Sequence, residues 1–441
     1  MDEKNPVREE SSTGSSTGSG DTVRDESLTP APAHRMDGGL QAWASVAGGW
    51  LIMFAVFGYA NAFGVFQDLY TRAGTASPSA VSWIGSVQVF LMVGMALPAG
   101  RLVDAGYFRP LLCGGSALFA FFVFMLSLAH TDKYYQLFLA QGLGVGFSGG
   151  LLYLPAVAIQ ARHWKARRAL AMGIVFSGSA IGGVLFPIML NRLFHHSALS
   201  FGWSVRASAF LITALLALAN VLMTPGPAPP APPAGIKTLG GALGGMLRDA
   251  PYVAVTLGAF LVNCGFYFPY FYIQLFAVLH GVEANLAFYT LSIMNAASIF
   301  GRLLPSVLAD AIGPFNTYLP ACAATGALLL ALLGIASPAA VVVFGILYGF
   351  CSGAVIALIA PLIATLTANP AEIGTRMGAT FFVMSFGSLL GTPISGALLG
   401  ASDRATWWRP IVFSAVLVLV GSAVVGGARD AVARRKGTRK V

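Results

Sequence analysis

Uncharged runs long enough to cross a bilayer recur along the chain, at 43–66, 73–100, 110–129, 134–161, 169–191, 207–224, 250–279, 286–309, 311–336, 338–371, 377–402 and 410–428. A hydrocarbon core of ~30 Å takes about 20 helical residues to span, so each run predicts one membrane helix. The ninth and tenth runs share the acid- and base-free stretch 311–371 and divide at Ser337-Pro338, where proline ends a helical pattern. Only the eighth run carries a charge, Arg302. Between the sixth and seventh, Pro225-Gly226-Pro227-Ala228-Pro229-Pro230-Ala231-Pro232-Pro233 cannot continue a helix and predicts an extended linker. The chain thus divides into a disordered polar tail (1–40), a six-helix half (41–224), a proline-rich linker (225–249), a second six-helix half (250–428) and a basic tail (429–441).

The two halves read as copies. Gly100-Arg101-Leu102 recurs as Gly301-Arg302-Leu303, Asp104 as Asp310, Gly146-Phe147 as Gly349-Phe350, Ser148 as Ser352, Pro155 as Pro361, and Met172-Gly173 as Met377-Gly378. A near-constant offset at these places marks a parallel repeat. The expected fold is an all-α integral membrane protein with twelve transmembrane helices in two pseudo-symmetric halves.

Composition excludes most other classes. Apolar residues make up 56% of the 441 and charged residues 10%, against about 25% in an ordinary soluble domain, which rules against a water-soluble enzyme. Nearly half of the carboxylates lie in the first 37 residues, a Ser/Thr/Gly-rich stretch without the apolar core of a secretory signal. The net charge of +9 sits in short clusters between apolar runs, which argues for membrane topology and against nucleic acid. With both termini in the cytoplasm, 19 Lys and Arg fall inside and six outside, as the positive-inside rule requires. The four cysteines lie in apolar runs without ligand spacing, and no metal or cofactor is expected. The Gly-rich pieces Gly142-Leu143-Gly144-Val145-Gly146 and Gly178–Gly183 lie mid-helix and read as helix-packing positions.

Twelve helices, a central linker and a six-helix repeat resemble the major facilitator superfamily, and Gly100-Arg101-Leu102-Val103-Asp104-Ala105-Gly106-Tyr107-Phe108-Arg109 is similar to its loop signature between helices two and three. Asp37-Gly38-Gly39 followed by Trp43 resembles the opening of the monocarboxylate porter family. The run His163-Trp164-Lys165-Ala166-Arg167-Arg168-Ala169-Leu170-Ala171-Met172-Gly173 resembles that family's fifth-helix signature, and Arg302 with Asp310 its eighth helix. The resemblance spans about residues 37–428, and the tail composition is similar to fungal members. It implies carriage of a small organic acid. Animal lactate carriers of the family place a proton-coupling lysine in helix one and an aspartate four residues before the eighth-helix arginine; here those positions read Asn61 and Ser298.

Arg302 is the most informative residue. It stands eight residues, or ~12 Å of helix, above Asp310, near mid-membrane, where a charge must face the bundle interior. Ser292, Asn295, Ser298, Arg302 and Ser306 share one face of helix eight and predict a wet stripe on a central cavity. A permanently charged planar fork there suits a carboxylate; a structural arginine tied to backbone carbonyls is the alternative. Further cavity candidates are Tyr59 and Asn61 in helix one, Gln88, Tyr153, and Asn263, Tyr267 and Tyr270 in helix seven, where the aromatic run 266–272 is either a gate near a broken helix or an interfacial belt. No Asp, Glu or His lies within a span, so coupling is expected to use the substrate's own proton, or transport to be uniport or exchange.

At the cytoplasmic boundary the cluster Arg162, Lys165, Arg167 and Arg168 is expected to pair with Asp310. By pseudo-symmetry Asp104, near Arg109, should face the start of helix eleven at Arg376, and such contacts would latch the cytoplasmic side. The expected function is secondary transport of a small organic acid or carboxylated metabolite by alternating access, by a monomer in the plasma membrane. Export of a fungal secondary metabolite is the alternative, a non-transporting sensor a distant third, and an enzyme is not expected.

Overall fold

The computed structural model describes residues 37–195, 199–226, 239–335, 337–367, 369–400 and 406–440. The expected tail over 1–36, most of the proline linker (227–238) and Arg404 lie outside the described residues. Among the described residues all regular structure is helical, with twelve helices long and apolar enough to cross a membrane. They are α1 (Leu40–Arg72), α2 (Ala80–Asp104), α3 (Phe108–Leu128), α4 (Tyr134–His163), α5 (Arg168–Phe194), α6 (Phe201–Leu222), α7 (Ala250–Leu279), α8 (Tyr289–Ile312), α9 (Pro314–Gly334), α10 (Pro338–Leu366), α11 (Pro370–Leu399) and α12 (Trp408–Lys436).

Two boundaries differ from the sequence reading. Residues 239–247 of the expected linker form a helix, Leu239–Leu247, which packs on α7 and buries Met246. Past the last proline, Leu239, Leu243, Met246 and Leu247 recur at helical spacing, which overrides the extended chain that the prolines impose upstream. The expected basic tail is mostly the end of α12, because Ala431, Val432, Ala433 and the Arg and Lys residues favour helix until Gly437.

Two helices break at corresponding places. In α1 the break falls at Ala62, whose N–H turns back to the Tyr59 carbonyl in a tightened turn. In α7 it falls at Tyr267, two residues before Pro269, which has no N–H to give and whose ring crowds the carbonyl four residues earlier.

The halves meet along α2–α11 and α5–α8. Lipid is as apolar as the interior, so close approach must come from small residues. Gly374 of α11 shows this: a Cβ there would stand 2.6 Å from the Gly100 carbonyl oxygen and 2.7 Å from Asp104 Oδ1.

With an even number of helices, Asp37 and Lys440 lie on one side, here called the terminal face. Two carboxylates lock the halves there. Asp104, at the end of α2, accepts the N–H groups of Gly374 (3.0 Å) and Thr375 (2.6 Å) and the Thr375 hydroxyl (2.7 Å). Asp310, at the end of α8, accepts the N–H groups of Ala169 and Leu170, each at 2.9 Å. Each carboxylate thus sits on the exposed amides and positive dipole end of a helix from the other half. Beneath them Trp164, Met172, Leu362, Ile363 and Met377 are buried in one apolar cluster that seals this face.

The cationic side chains are arranged differently from expectation. Arg376 pairs with Asp249 at 3.0 Å and not with Asp104, whose cationic neighbour is Arg162 at 4.0 Å. Arg109 donates to the Asn220 carbonyl of α6 within its own half. Arg168 donates to the Trp164 carbonyl and acts on Asp310 through its charge, as expected of that cluster, while Arg167 is exposed. Asp310 binds helix-end amides because these already point along the helix axis at the bundle seam.

Gly374→Val should lower stability by about 1–3 kcal/mol through overpacking at the α2–α11 crossing, read as a fall in melting temperature of the purified protein. Asp104→Ala removes three charge-assisted bonds to the opposite half. Labelling of a cysteine placed at Ser179 from the terminal face should then rise about tenfold, and unchanged labelling would exclude a latch.

Candidate functional site

Two neighbouring spaces lie one below the other from the side opposite the termini. The upper is a vestibule of about 630 Å³, lined by Asp68, Arg72, Asn191, Arg192, Gln274 and Ser292 among others. Arg72 Nε and Asp68 Oδ2 pair at 2.8 Å. The lower is a chamber of about 90 Å³ between the halves, and Asn61 lines both spaces. The terminal face below is shut, so the bundle opens away from its termini.

Arg302 lines the lower chamber at 3% exposure. Its Nη1 donates to the Phe176 carbonyl at 2.5 Å and to the Ser179 hydroxyl, both on α5, so this guanidinium of the second half is tied to the first. Its Nε is buried with no hydrogen-bond partner. No Asp, Glu or His is among the residues lining the chamber, so within it the cation faces only neutral groups: the Phe176 carbonyl, hydroxyls, carboxamides and the rings of Tyr153, Tyr267 and Tyr270. A buried cation in that setting is costly and holds unused capacity for an anion.

The α8 stripe divides. Asn295 and Arg302 line the chamber and Ser292 the vestibule. Ser298, expected on the cavity, donates to the Asn295 carbonyl and packs where α10 presents Gly353. At 100° per residue it stands at the edge of the stripe, which turns it toward α10. Ser306 donates to the Arg302 carbonyl and lies against Gly173 of α5, below the chamber.

In α1, Met53, Phe57 and Asn61 line the chamber at intervals of four, and Asn61 Nδ2 donates to the Ser179 carbonyl at 3.3 Å. Tyr59 does not reach it. Two residues before Asn61 it points about 200° around the helix, fully buried and edge-on to Phe66 and Phe186. Gln88 is likewise buried away from both spaces. Asn263 lines the chamber, but its Nδ2 is committed to α11, at 2.7 Å to the Met384 carbonyl and 2.5 Å to the Ser388 hydroxyl. Tyr267 lines it at the α7 break, and Tyr270 bonds Ser352 at 3.1 Å.

Sequence reasoning missed Phe57, Phe176, Ser179 and Phe381. Tyr153 of the first half stacks on Phe381 of the second, ring centres 5.3 Å apart and 18° between planes, so an aromatic floor crosses the seam. Only the spacing of Phe57 four residues from Asn61 pointed that way, since aromatic residues also face lipid. His163, just past the fourth uncharged run, is buried in the last turn of α4, with Nε2 3.1 Å from the Thr224 carbonyl and 3.3 Å from the Ser45 hydroxyl.

Comparison with known proteins fits this architecture. The aspyridones efflux protein apdF of Emericella nidulans is 38% identical over 395 residues, 89% of this chain and 78% of the relative. The agnestins efflux protein AgnL12 of Paecilomyces divaricatus is 36% identical over 386 residues, 86% of this chain and 85% of the relative. Among solved structures, the transporter FucP in its outward conformation superimposes with a TM-score of 0.70 at 17% identity, covering 87% of this chain and 98% of that one. The human organic anion transporter MFSD10 does so at 0.67 and 15%, with the same coverage. The family model described as Major Facilitator Superfamily matches residues 39–359. A twelve-helix bundle with its cavity on the seam between two repeats, matched over most of its length by these sequences, makes the chain a multi-pass membrane transporter belonging to the Major Facilitator Superfamily.

Proposed function

We propose that the protein exports an acidic secondary metabolite by alternating access, with Arg302 as the anion contact. One observation carries this reading: a buried guanidinium in a chamber on the seam, with no acidic residue lining that chamber. The cargo's carboxylate or enolate meets the guanidinium fork, and its conjugated or aromatic body lies against Tyr153, Phe266 and Phe381. Asn61 and Asn295 offer carboxamides to its polar substituents. The relatives named for efflux of aspyridones and agnestins support export of such a compound over carriage of a small monocarboxylate. The likeness to monocarboxylate porters rests on Asp37-Gly38-Gly39, the 163–173 run and the Arg302 and Asp310 pattern, and names no cargo for this chain.

The distribution of Lys and Arg orients the terminal face to the cytoplasm, in the plasma membrane, and one chain holds the whole path. Cargo enters from that face when the Asp104 and Asp310 contacts part, and leaves through the vestibule once they reform. Because no titratable acid or histidine lines the chamber, any proton that moves with the cargo is carried on the cargo's own acid group.

Arg302→Ala should cut transport of an acidic cargo by about 30-fold or more, as loss of a buried charge contact costs ~2–5 kcal/mol, while leaving transport of its neutral ester little changed. Arg302→Lys should restore only a minor part, since a single ammonium cannot replace the fork. Equal loss for acid and ester in reconstituted vesicles would remove the anion role. Metabolite profiling separates the directions: a strain lacking the protein should retain an acidic metabolite in its cells, whereas failure to clear it from the medium would mark an importer.

A further inference from the structure

The last helix is longer than a membrane needs. α12 runs 29 residues, Trp408–Lys436. At 1.5 Å per residue this is ~43 Å against a core of ~30 Å, so its final turns stand clear of the hydrocarbon on the terminal face. Those turns carry Arg434, Arg435 and Lys436, and Arg439 and Lys440 follow. Gly437, at φ +62°, ends the helix in the left-handed conformation that glycine adopts freely and turns the chain back. The helix end and the segment that returns from it are held at three points. Asn316 at the start of α9 donates to the Arg439 carbonyl at 2.7 Å, Lys436 Nζ donates to the Thr365 carbonyl at 3.3 Å, and Arg435 Nη1 lies 3.2 Å from Asp249 Oδ1. The other oxygen of Asp249 holds Arg376, the residue after Thr375, which Asp104 binds across the seam. One carboxylate therefore joins the end of the chain to the helix end where the halves lock.

Thr438 lies in this segment. It is exposed and non-helical, and its Oγ1 accepts only the N–H of Lys440 two residues on, at 3.2 Å. It follows Arg434-Arg435-Lys436-Gly437, which places a guanidinium three residues before an accessible hydroxyl. Protein kinases with an acidic substrate cleft select such a hydroxyl, because the arginine fork pairs with their carboxylates while a short extended segment presents the nucleophile.

We propose that Thr438 is a phosphorylation site for an arginine-directed protein kinase, and that the phosphate draws Arg435 away from Asp249 and releases the end of the chain from the terminal face. The Thr438 hydroxyl oxygen attacks the γ-phosphorus of ATP. An oxygen–phosphorus bond forms as the bond to the departing ADP breaks, and the hydroxyl proton passes to the kinase. The product carries about two negative charges and three acceptor oxygens at a position flanked in sequence by Arg434, Arg435, Lys436 and Lys440, whereas Asp249 divides a single charge between Arg435 and Arg376. The inference rests on a cytoplasmic terminal face, where ATP is present, and is independent of the cargo.

The test uses the full chain in lipid nanodiscs with ATP and the catalytic domain of an arginine-directed kinase, read by phosphopeptide mass spectrometry and hydrogen exchange. Phosphate should appear at Thr438, vanish in Thr438→Ala, and form about tenfold more slowly in Arg435→Ala, which removes one charge-assisted contact to the kinase. Exchange in peptides covering 246–252 and 434–440 should quicken about threefold or more on phosphorylation, and Arg435→Ala should quicken it without phosphate. Thr438 is exposed, so its alanine variant serves as a folded control. Labelling indifferent to Arg435, unchanged exchange after stoichiometric phosphorylation, or labelling of Thr438 by kinase and ATP supplied outside intact cells would each overturn the proposal.

Discussion

A guanidinium deep in a membrane is tolerated only where the surrounding protein gives it hydrogen-bonding partners, and that requirement organises the centre of this transporter. Arg302 meets it with one nitrogen, through the Phe176 carbonyl and the Ser179 hydroxyl. These partners are neutral, so the charge is solvated without being cancelled. The same bonds cross from α8 to α5, so this guanidinium also ties the two halves together. Apart from a few carboxamides and hydroxyls, the chamber around it is apolar or aromatic, which strengthens any electrostatic contact made there.

The terminal face answers a different demand. Helix ends leave amides without partners, and α5 and α11 both begin at the seam. Asp310 and Asp104 meet those amides from the opposite half, which satisfies the backbone and couples the repeats in one stroke. Such contacts are short and directional, and they are lost together when the halves separate. Close approach at Gly100 and Gly374 sets the distance at which they form.

Much of this was legible in the chain. Apolar run length fixed the number of helices, the repeat offset fixed their pairing, and the isolated charge at position 302 singled out the cavity helix. Asp104 and Asp310 could be placed at the boundary because they are rare acids between long uncharged runs. The facing of individual side chains was harder to read. Tyr59 and Ser298 have the right chemistry but turn away, since a tilt of a few tens of degrees decides whether a residue near a stripe edge meets cavity or neighbour. Phe57, Phe176 and Phe381 were hidden for the converse reason: an aromatic residue suits lipid, packing and cavity alike, so its type carries no address. The last turns of α12 and the Leu239–Leu247 helix escaped because a basic run and the residues following the prolines were read as chain without structure.

The twofold backbone repeat does not extend to the charges around the vestibule. Asp68, Arg72 and Arg192 come from the first six helices, while Gln274 and Ser292 face them from the last six. Swinging that rim together would strip water from the Asp68–Arg72 pair and from Arg192 and set uncharged side chains of the other half against them, a desolvation penalty that new contacts across the seam do little to offset. The opposite rim closes on amides that welcome its carboxylates. Two shutters of like shape therefore differ in how willingly they shut, and that inequality favours the state in which the terminal face is closed and the vestibule open.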